Sequence, residues 1–374
     1  MRKWLMLIVC LAVVLSACSS NSSPEEPDST DLQIDLLEPM DATNIEYIEP
    51  NGNTVYIIGA KRDKSKPQRE RIVAVYDLNK GSVTVLSRDD SPVDYAYNLS
   101  VHHSDDGTDT VFTGSEIFTV KDSEILSIQE IGDEYAREPF ADLENNRMVY
   151  VGQEDLAVYL HFFDDADGAQ DIKIYESSVL ANEDGTKSFF FPYSPKFDDR
   201  GDKILFGTAK DDVALYQNMV ICDTDGEILA QTDALPIQAD FLDFFWYHDG
   251  FFTLEITDAF DGSPSGNATI FTRYDAEGRQ TRKTIFECVA LSCQRKVYPD
   301  TDLYAFGYDK DGATGLALYD MEQDRVSSVY ETENYIVSPT VSPDGERVLW
   351  VENGVLHVRD VASLVDSQSV HVIE

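Results

Sequence analysis

The run Asp164-Asp165-Ala166-Asp167-Gly168-Ala169-Gln170-Asp171 packs carboxylates at the density a hard cation prefers, and Asp105-Asp106-Gly107-Thr108-Asp109 is a thinner version. Calcium is the ion such oxygens suit, with Asp165, Asp167 and Asp171 as the ligands. Neither segment has the alternating ligands and terminal bidentate glutamate of an EF-hand, so a hairpin turn rich in Asp and Gly is the favoured reading and no obligatory cofactor is expected. Nucleophilic chemistry finds little support. Gly262-Ser263-Pro264-Ser265-Gly266 has proline where a nucleophile elbow needs serine, and no HExxH, Walker loop or kinase signature occurs. His102 and His103 are neighbours on a predicted strand, where successive side chains point to opposite faces, and His161, His248, His357 and His371 lie far apart. A glycosidase needs only two carboxylates at the right separation, and 69 acidic residues leave such a pair neither excluded nor placed.

The thiols speak of compartment. Cys10 and Cys18 fall in the first eighteen residues, leaving Cys222, Cys288 and Cys293 for the folded part. In an oxidising compartment Cys288 and Cys293 would close a short loop, with Cys222 a buried thiol; three free thiols is the alternative. The chain opens with the basic pair Arg2-Lys3 and an apolar run from Trp4 to Leu15, too short for a permanent membrane span of roughly 20 residues but suited to an export signal. Leu15-Ser16-Ala17-Cys18 then resembles the lipobox of bacterial lipoproteins. That resemblance implies cleavage after residue 17 and a fatty-acylated Cys18, with residues 18–31, rich in Ser, Pro, Glu and Asp, as a flexible tether. It places the protein in the cell envelope, anchored to a membrane through lipid. Ser19 after the cysteine resembles the pattern sent to the periplasmic side of the outer membrane in a Gram-negative host; in a Gram-positive host the anchor holds the outer face of the plasma membrane.

With 69 acidic against 29 basic residues the formal charge is −40, spread along the chain. Nucleic acid and anionic bilayers would repel such a surface, and neither is expected as a partner. The segment Arg62 to Arg71 departs from this background with Lys61, Arg62, Lys64, Lys66, Arg69 and Arg71, either a solvated hairpin loop or a contact for an acidic protein or lipid head group.

The elements that must position these residues come from a repeat. Ser194-Pro195-Lys196-Phe197-Asp198-Asp199-Arg200-Gly201 followed by Lys203-Ile204-Leu205-Phe206 aligns without a gap on Ser338-Pro339-Thr340-Val341-Ser342-Pro343-Asp344-Gly345 followed by Arg347-Val348-Leu349-Trp350. Weaker copies start at Ile45, Ser100, Glu138, Asp243 and Gln294, the one at Glu138 placing Asn145 where the box has glycine and the one at Gln294 having Pro299-Asp300. Each continues with a β-branched or aromatic strand, which ends in aspartate in five of the seven units (Asp77, Asp223, Asp275, Asp320, Asp360), and a further strand. Capping of the following turn explains the recurring aspartates. Four short strands in a unit of roughly 40–50 residues predict an all-β propeller over residues 32–374, with seven four-stranded blades and six or eight as alternatives, since the unit with the insert Asp258 to Asn267 fits poorly. The aromatic runs Phe241 to Tyr247 and Phe189 to Tyr193 are expected in the core between blades. Asp31 to Leu37 reads as a strand that closes the ring by pairing with the last blade near Val370 to Ile373.

The Ser-Pro-Asp-Gly box before an aliphatic-aromatic strand resembles the WD40-like repeat of TolB-type β-propellers. The resemblance implies a monomeric interaction scaffold for envelope proteins rather than an enzyme. The rival expectations are an envelope-polysaccharide hydrolase or lyase, or a small-ligand sensor, using the central channel.

Overall fold

Strands sandwiched between two neighbouring sheets bury both faces, so they lose the alternating pattern and read as unbroken apolar runs. Val55 to Ile58 and Ile72 to Val75 do so, every residue fully buried. The computed structural model describes residues 32–62, 69–91, 99–104, 106–114, 116–131, 139–152, 154–163, 171–181, 187–210, 216–232, 241–257, 267–364 and 372–373. They form seven antiparallel sheets, the blades of a β-propeller.

Blade 1 runs from the inner strand Asn44–Asn51 through Thr54–Lys61 and Arg69–Asp77 to the outer strand Ser82–Ser91. Blade 2 is Ser100–His103, Thr108–Phe112, Glu116–Lys121 and Glu124–Glu130; blade 3 is Phe140–Asp142, Arg147–Val151, Val158–Phe162 and Ile172–Tyr175. Blade 4 is Lys187–Phe197, Lys203–Lys210, Tyr216–Asp223 and Ile228–Gln231, with Ser178–Ala181 added on its inner edge. Blade 5 is Phe241–Tyr247, Gly250–Thr257, Ala268–Tyr274 and Gln280–Phe286, and blade 6 is Val289–Cys293, Leu303–Lys310, Ala313–Asp320 and Arg325–Thr332. Blade 7 has Ile336–Val341, Arg347–Glu352 and Val355–Asp360, and takes its outer strand, Leu32–Asp35, from the other end of the chain. The blade containing the insert at Asp258 is as regular as the rest, which fixes the count at seven.

The closure differs from expectation in its partner. Leu32 to Asp35 pairs with Val358 to Val355 rather than with Val370 to Ile373. Val372–Ile373 instead adds to the outer strand of blade 5, opposite Phe286 and Ile285. Val355–Asp360 is the third strand of its blade and needs a fourth, a role Leu32–Asp35 fills.

Seven buried clusters follow, one between each adjacent pair of blades. The aromatic run enters two of them: Phe245 and Tyr247 pack between blades 5 and 6, and Phe244 and Trp246 between blades 4 and 5. Alternation along one strand thus feeds two interfaces.

Four of the five recurring aspartates cap turns. Asp77 Oδ1 accepts from the amides of Asn79 and Lys80, Asp223 from Asp225 and Glu227, Asp275 from Glu277 and Arg279, and Asp320 from Gln323. Asp360 makes no such bond, and its carbonyl accepts from the Ser363 hydroxyl instead. In blade 3 the left-handed residue is Asn146, at φ 57°, one place beyond the aligned Asn145. Gly201 and Gly345 both sit at φ 72°, as the box requires.

Candidate functional site

The Ser-Pro pair does more than signal a turn. Ser194 and Ser338 adopt φ 48° and 47°, and the pairing register slips at that point in both inner strands. The bulge turns side chains toward the next blade. Ser338 Oγ accepts from the Ile48 amide at 3.0 Å, and Lys196 Nζ donates to the Phe244 carbonyl at 2.6 Å and to Asp243 Oδ1 at 3.2 Å.

Blade 6 lacks the box and has Gln294 there. Its Oε1 accepts from the amides of Ala305 and Val341, at 3.0 and 3.2 Å, and its Nε2 donates to the Lys296 carbonyl at 2.5 Å. This carboxamide ties blade 6 to the inner strand of blade 7 and holds the chain that follows it. Tyr298 then donates its hydroxyl to Glu49 Oε1 at 2.7 Å, while Tyr47 donates to Oε2 at 2.6 Å. Blades 1 and 6 are separated by blade 7, so this contact is made on the axial side of the ring. Lys296 lies within electrostatic reach of both Glu49 in blade 1 and Asp199 in blade 4, which also puts it near the axis. The Arg295 guanidinium sits 5.3 Å from the Tyr47 ring centre and the Lys296 ammonium 5.2 Å from that of Tyr298.

The electrostatics of this cluster are those of a buried tie between blades. Burial raises the Glu49 carboxyl above its usual range, against the pull of Lys296 and the two tyrosine hydroxyls. Tyr47 and Tyr298 are pushed well above 10, first by burial and then by Glu49. Asp199 keeps solvent contact, but protein packed around it raises its carboxyl; Asp198 and Asp300 add to the rise while Lys296 and His248 oppose it. Glu49 is only 3% exposed and both its oxygens are occupied, so it cannot reach a substrate as acid or base.

A second arrangement recurs around the ring, in which a carboxylate bridges a histidine and a tyrosine. Asp109 takes His103 Nδ1 at 2.7 Å and the Tyr56 hydroxyl at 2.5 Å; Asp171 takes His161 Nδ1 at 2.8 Å and the Tyr150 hydroxyl. Asp302 takes the Tyr247 hydroxyl at 2.5 Å and His248 Nε2 at 3.2 Å. Being spread over several blades, these are structural ties.

Of the predicted site residues, Cys18, Asp165 and Asp167 lie outside the described residues. Asp171 is engaged with His161 and Tyr150, and among the described residues no group of three or more His, Cys, Asp or Glu is placed to hold a metal. The expected Cys288–Cys293 disulfide is absent: Cys222, Cys288 and Cys293 are all free. The reason is extension. Val289–Cys293 is a strand, rising roughly 3.3 Å per residue, and five steps of it exceed the ~7 Å between Cα atoms that a disulfide tolerates. Burial raises the Cys288 thiol to about 11 and the Cys222 thiol to about 12, and Cys293 rises further, so none is a ready nucleophile. In the basic segment, Lys61 pairs with Asp41, Arg69 with Glu46, and Arg71 donates to the Thr113 carbonyl at 2.7 Å; Lys64 and Lys66 lie outside the described residues. Two of the six basic residues, Lys61 and Arg69, thus spend their charge on ion pairs within the molecule.

The residues that sequence reasoning missed are Glu49, Lys296 and Tyr298. The one available signal was an acid between Ile48 and Pro50 in an apolar inner strand.

No protein-family model matches the sequence, and neither does any curated protein. Solved structures do. The Pan2 WD40 domain of Neurospora crassa superposes with a TM-score of 0.54 at 10% identity, covering 91% of this chain and 97% of that one. The likeness establishes a WD40-like propeller fold. The Cps50 (Swd1) β-propeller domain of Myceliophteria thermophila gives 0.52 at 13% identity over 86% and 98% of the two chains. A chain of the mitotic checkpoint complex gives 0.50 at 13% identity over 89% and 91%.

Proposed function

We propose that this propeller is a lipid-anchored scaffold for protein contacts in a bacterial cell envelope, of the TolB-like kind. The observation that carries the scaffold reading is a contrast in the molecule itself. The acid at the axis is consumed by internal bonds, whereas the outer strand of blade 2, Glu124–Glu130, is exposed along its whole length and carries Ile125, Leu126 and Ile128. Catalysis needs accessible, poised groups; association needs exposed apolar surface flanked by polar residues. A propeller of the same fold takes part in the mitotic checkpoint complex, an assembly, which agrees with this use of the fold without specifying a partner.

The anchor rests on Leu15-Ser16-Ala17-Cys18 after its short apolar run. Among the described residues no helix is long and apolar enough to cross a membrane. Mass spectrometry of the mature protein should find fatty acyl groups on Cys18, and Cys18→Ala should release the protein from the membrane fraction. Crosslinking on native membranes should then capture envelope proteins. An unacylated amino terminus would end the anchor reading; turnover of an envelope polysaccharide by the purified protein, with no partner captured, would replace the scaffold by an enzyme.

A further inference from the structure

The blade 2 edge has a specific construction. Ile128 pairs with Phe118 and Ile125 with Val120, and both partners belong to the core between blades 1 and 2, so these isoleucines carry that core's apolar face out to the rim. Between Ser127, opposite Thr119, and Ile125, opposite Val120, the register shifts, and Leu126 is the residue left without a partner. That bulge aims Leu126 outward, and at 59% it is the most exposed large apolar side chain among the described residues, with Ile128 at 52%. Glu124 and Glu130 bracket the three, both exposed, on a chain of net charge −40.

Two other blades show what such an edge accepts. Blade 7 is completed by Leu32–Asp35, and blade 5 gains Val372–Ile373 beyond its fourth strand, both antiparallel. Among the described residues nothing pairs with the far edge of Glu124–Glu130.

We propose that this edge binds an extended segment of a partner protein as a fifth, antiparallel strand, and that the segment carries two apolar residues flanked by lysine or arginine. Main-chain hydrogen bonds supply the register, Ile125, Leu126 and Ile128 the apolar contact, and Glu124 and Glu130 the charge selection. The inference rests on the scaffold reading and names the surface it uses.

The test uses the whole protein and a fluorescein-labelled synthetic peptide, KTVTVTK, followed by fluorescence anisotropy. Saturable binding is expected, weakened at least tenfold by Leu126→Ser/Ile128→Ser and at least tenfold by Glu124→Lys/Glu130→Lys, and changed less than twofold by Ile228→Ser on the blade 4 rim. All four positions of the two double variants are exposed, so their melting temperatures should match the parent's. Absence of saturable binding, equal weakening by Ile228→Ser, or loss of a self-associated dimer in the double variants during sedimentation would each overturn the proposal, the last by making a second copy the occupant. Crosslinking on native membranes separates the two levels. If parent and Leu126→Ser/Ile128→Ser capture the same proteins, this edge is the wrong surface and the scaffold stands; if the parent captures none, both fall.

Discussion

Blades 5 and 6 and blades 2 and 3 are built to the same plan and packed to different depths. Between blades 5 and 6 sixteen buried residues meet, among them Phe245 and Tyr304 stacked at 4.4 Å and Phe271 within 4.7 to 5.7 Å of Tyr319, Tyr304, Phe286 and Phe306. Among the described residues, six do between blades 2 and 3. Each aromatic pair adds about 0.5–1.5 kcal/mol beyond its buried area, so the difference is large on the scale of a domain's net stability. The closing strand completes blade 7, and the Tyr298–Glu49 tie joins blade 6 to blade 1 past it. The lesson is a division of labour: aromatic packing gathers between blades 5 and 6, and the exposed apolar edge sits on the blade that shares the smallest cluster.

The largest test of that contrast is truncation of a fully buried ring on each side. Phe271→Ala should cost about 3–5 kcal/mol, because its aromatic neighbours cannot collapse into the space, while Phe112→Ala between blades 2 and 3 should fall at the lower end of that range. Equal losses in urea denaturation would erase the contrast. Next, Tyr298→Phe removes one donor from a buried carboxyl and should cost about 1–3 kcal/mol, against little change for Tyr335→Phe on the surface. Hydrogen exchange sharpens the picture: amides of Glu124–Glu130 and Phe140–Asp142 should exchange well before those of Leu303–Lys310.

The smallest effect is in pH dependence, where two glutamates have opposite signs. Glu49 binds its proton more tightly folded than unfolded, so its contribution is fully present below its ordinary value of 4.5 and is lost as pH rises through the raised one. At Glu352 burial acts to raise the carboxyl, but Thr332, Asn334 and Tyr330, with His357 nearby, together outweigh it and lower it; its contribution is present above 4.5 and fades as pH falls through the lowered value. Unfolding free energies from pH 3 to 8 should lose the decline above 4.5 in Glu49→Gln and the acid-side decline in Glu352→Gln. An unchanged slope in Glu49→Gln would remove the Glu49 cluster as a titrating element, and one in Glu352→Gln would do the same for the Glu352 cluster.

Much of the fold was legible because a propeller repeats short-range signals. All seven sequence units begin in or within two residues of an inner strand, from Ile45 in Asn44–Asn51 to Ser338 in Ile336–Val341. The aspartate caps were legible for the same reason, since each bonds to amides two to four residues away. The candidate site was not. Ser194 and Ser338 precede prolines, which biases a residue toward extended backbone, and their left-handed φ arises from the bulge that joins neighbouring blades. The five-residue spacing of Cys288 and Cys293 suits a short disulfide loop, but the strand Val289–Cys293 extends the chain between them.

Strand periodicity, turn chemistry and the number of modules are local properties, written into stretches of a few dozen residues and readable without knowing what lies beyond them. Glu49 and Tyr298 stand 249 positions apart, and nothing near either residue announces the other. Their meeting, like the choice of Val355–Asp360 as partner for Leu32–Asp35, depends on the curvature that brings first and last blades together around one axis. Such contacts form when loop-closure entropy has been overcome by the packing of all seven sheets, so they belong to the closed ring and to no segment of it.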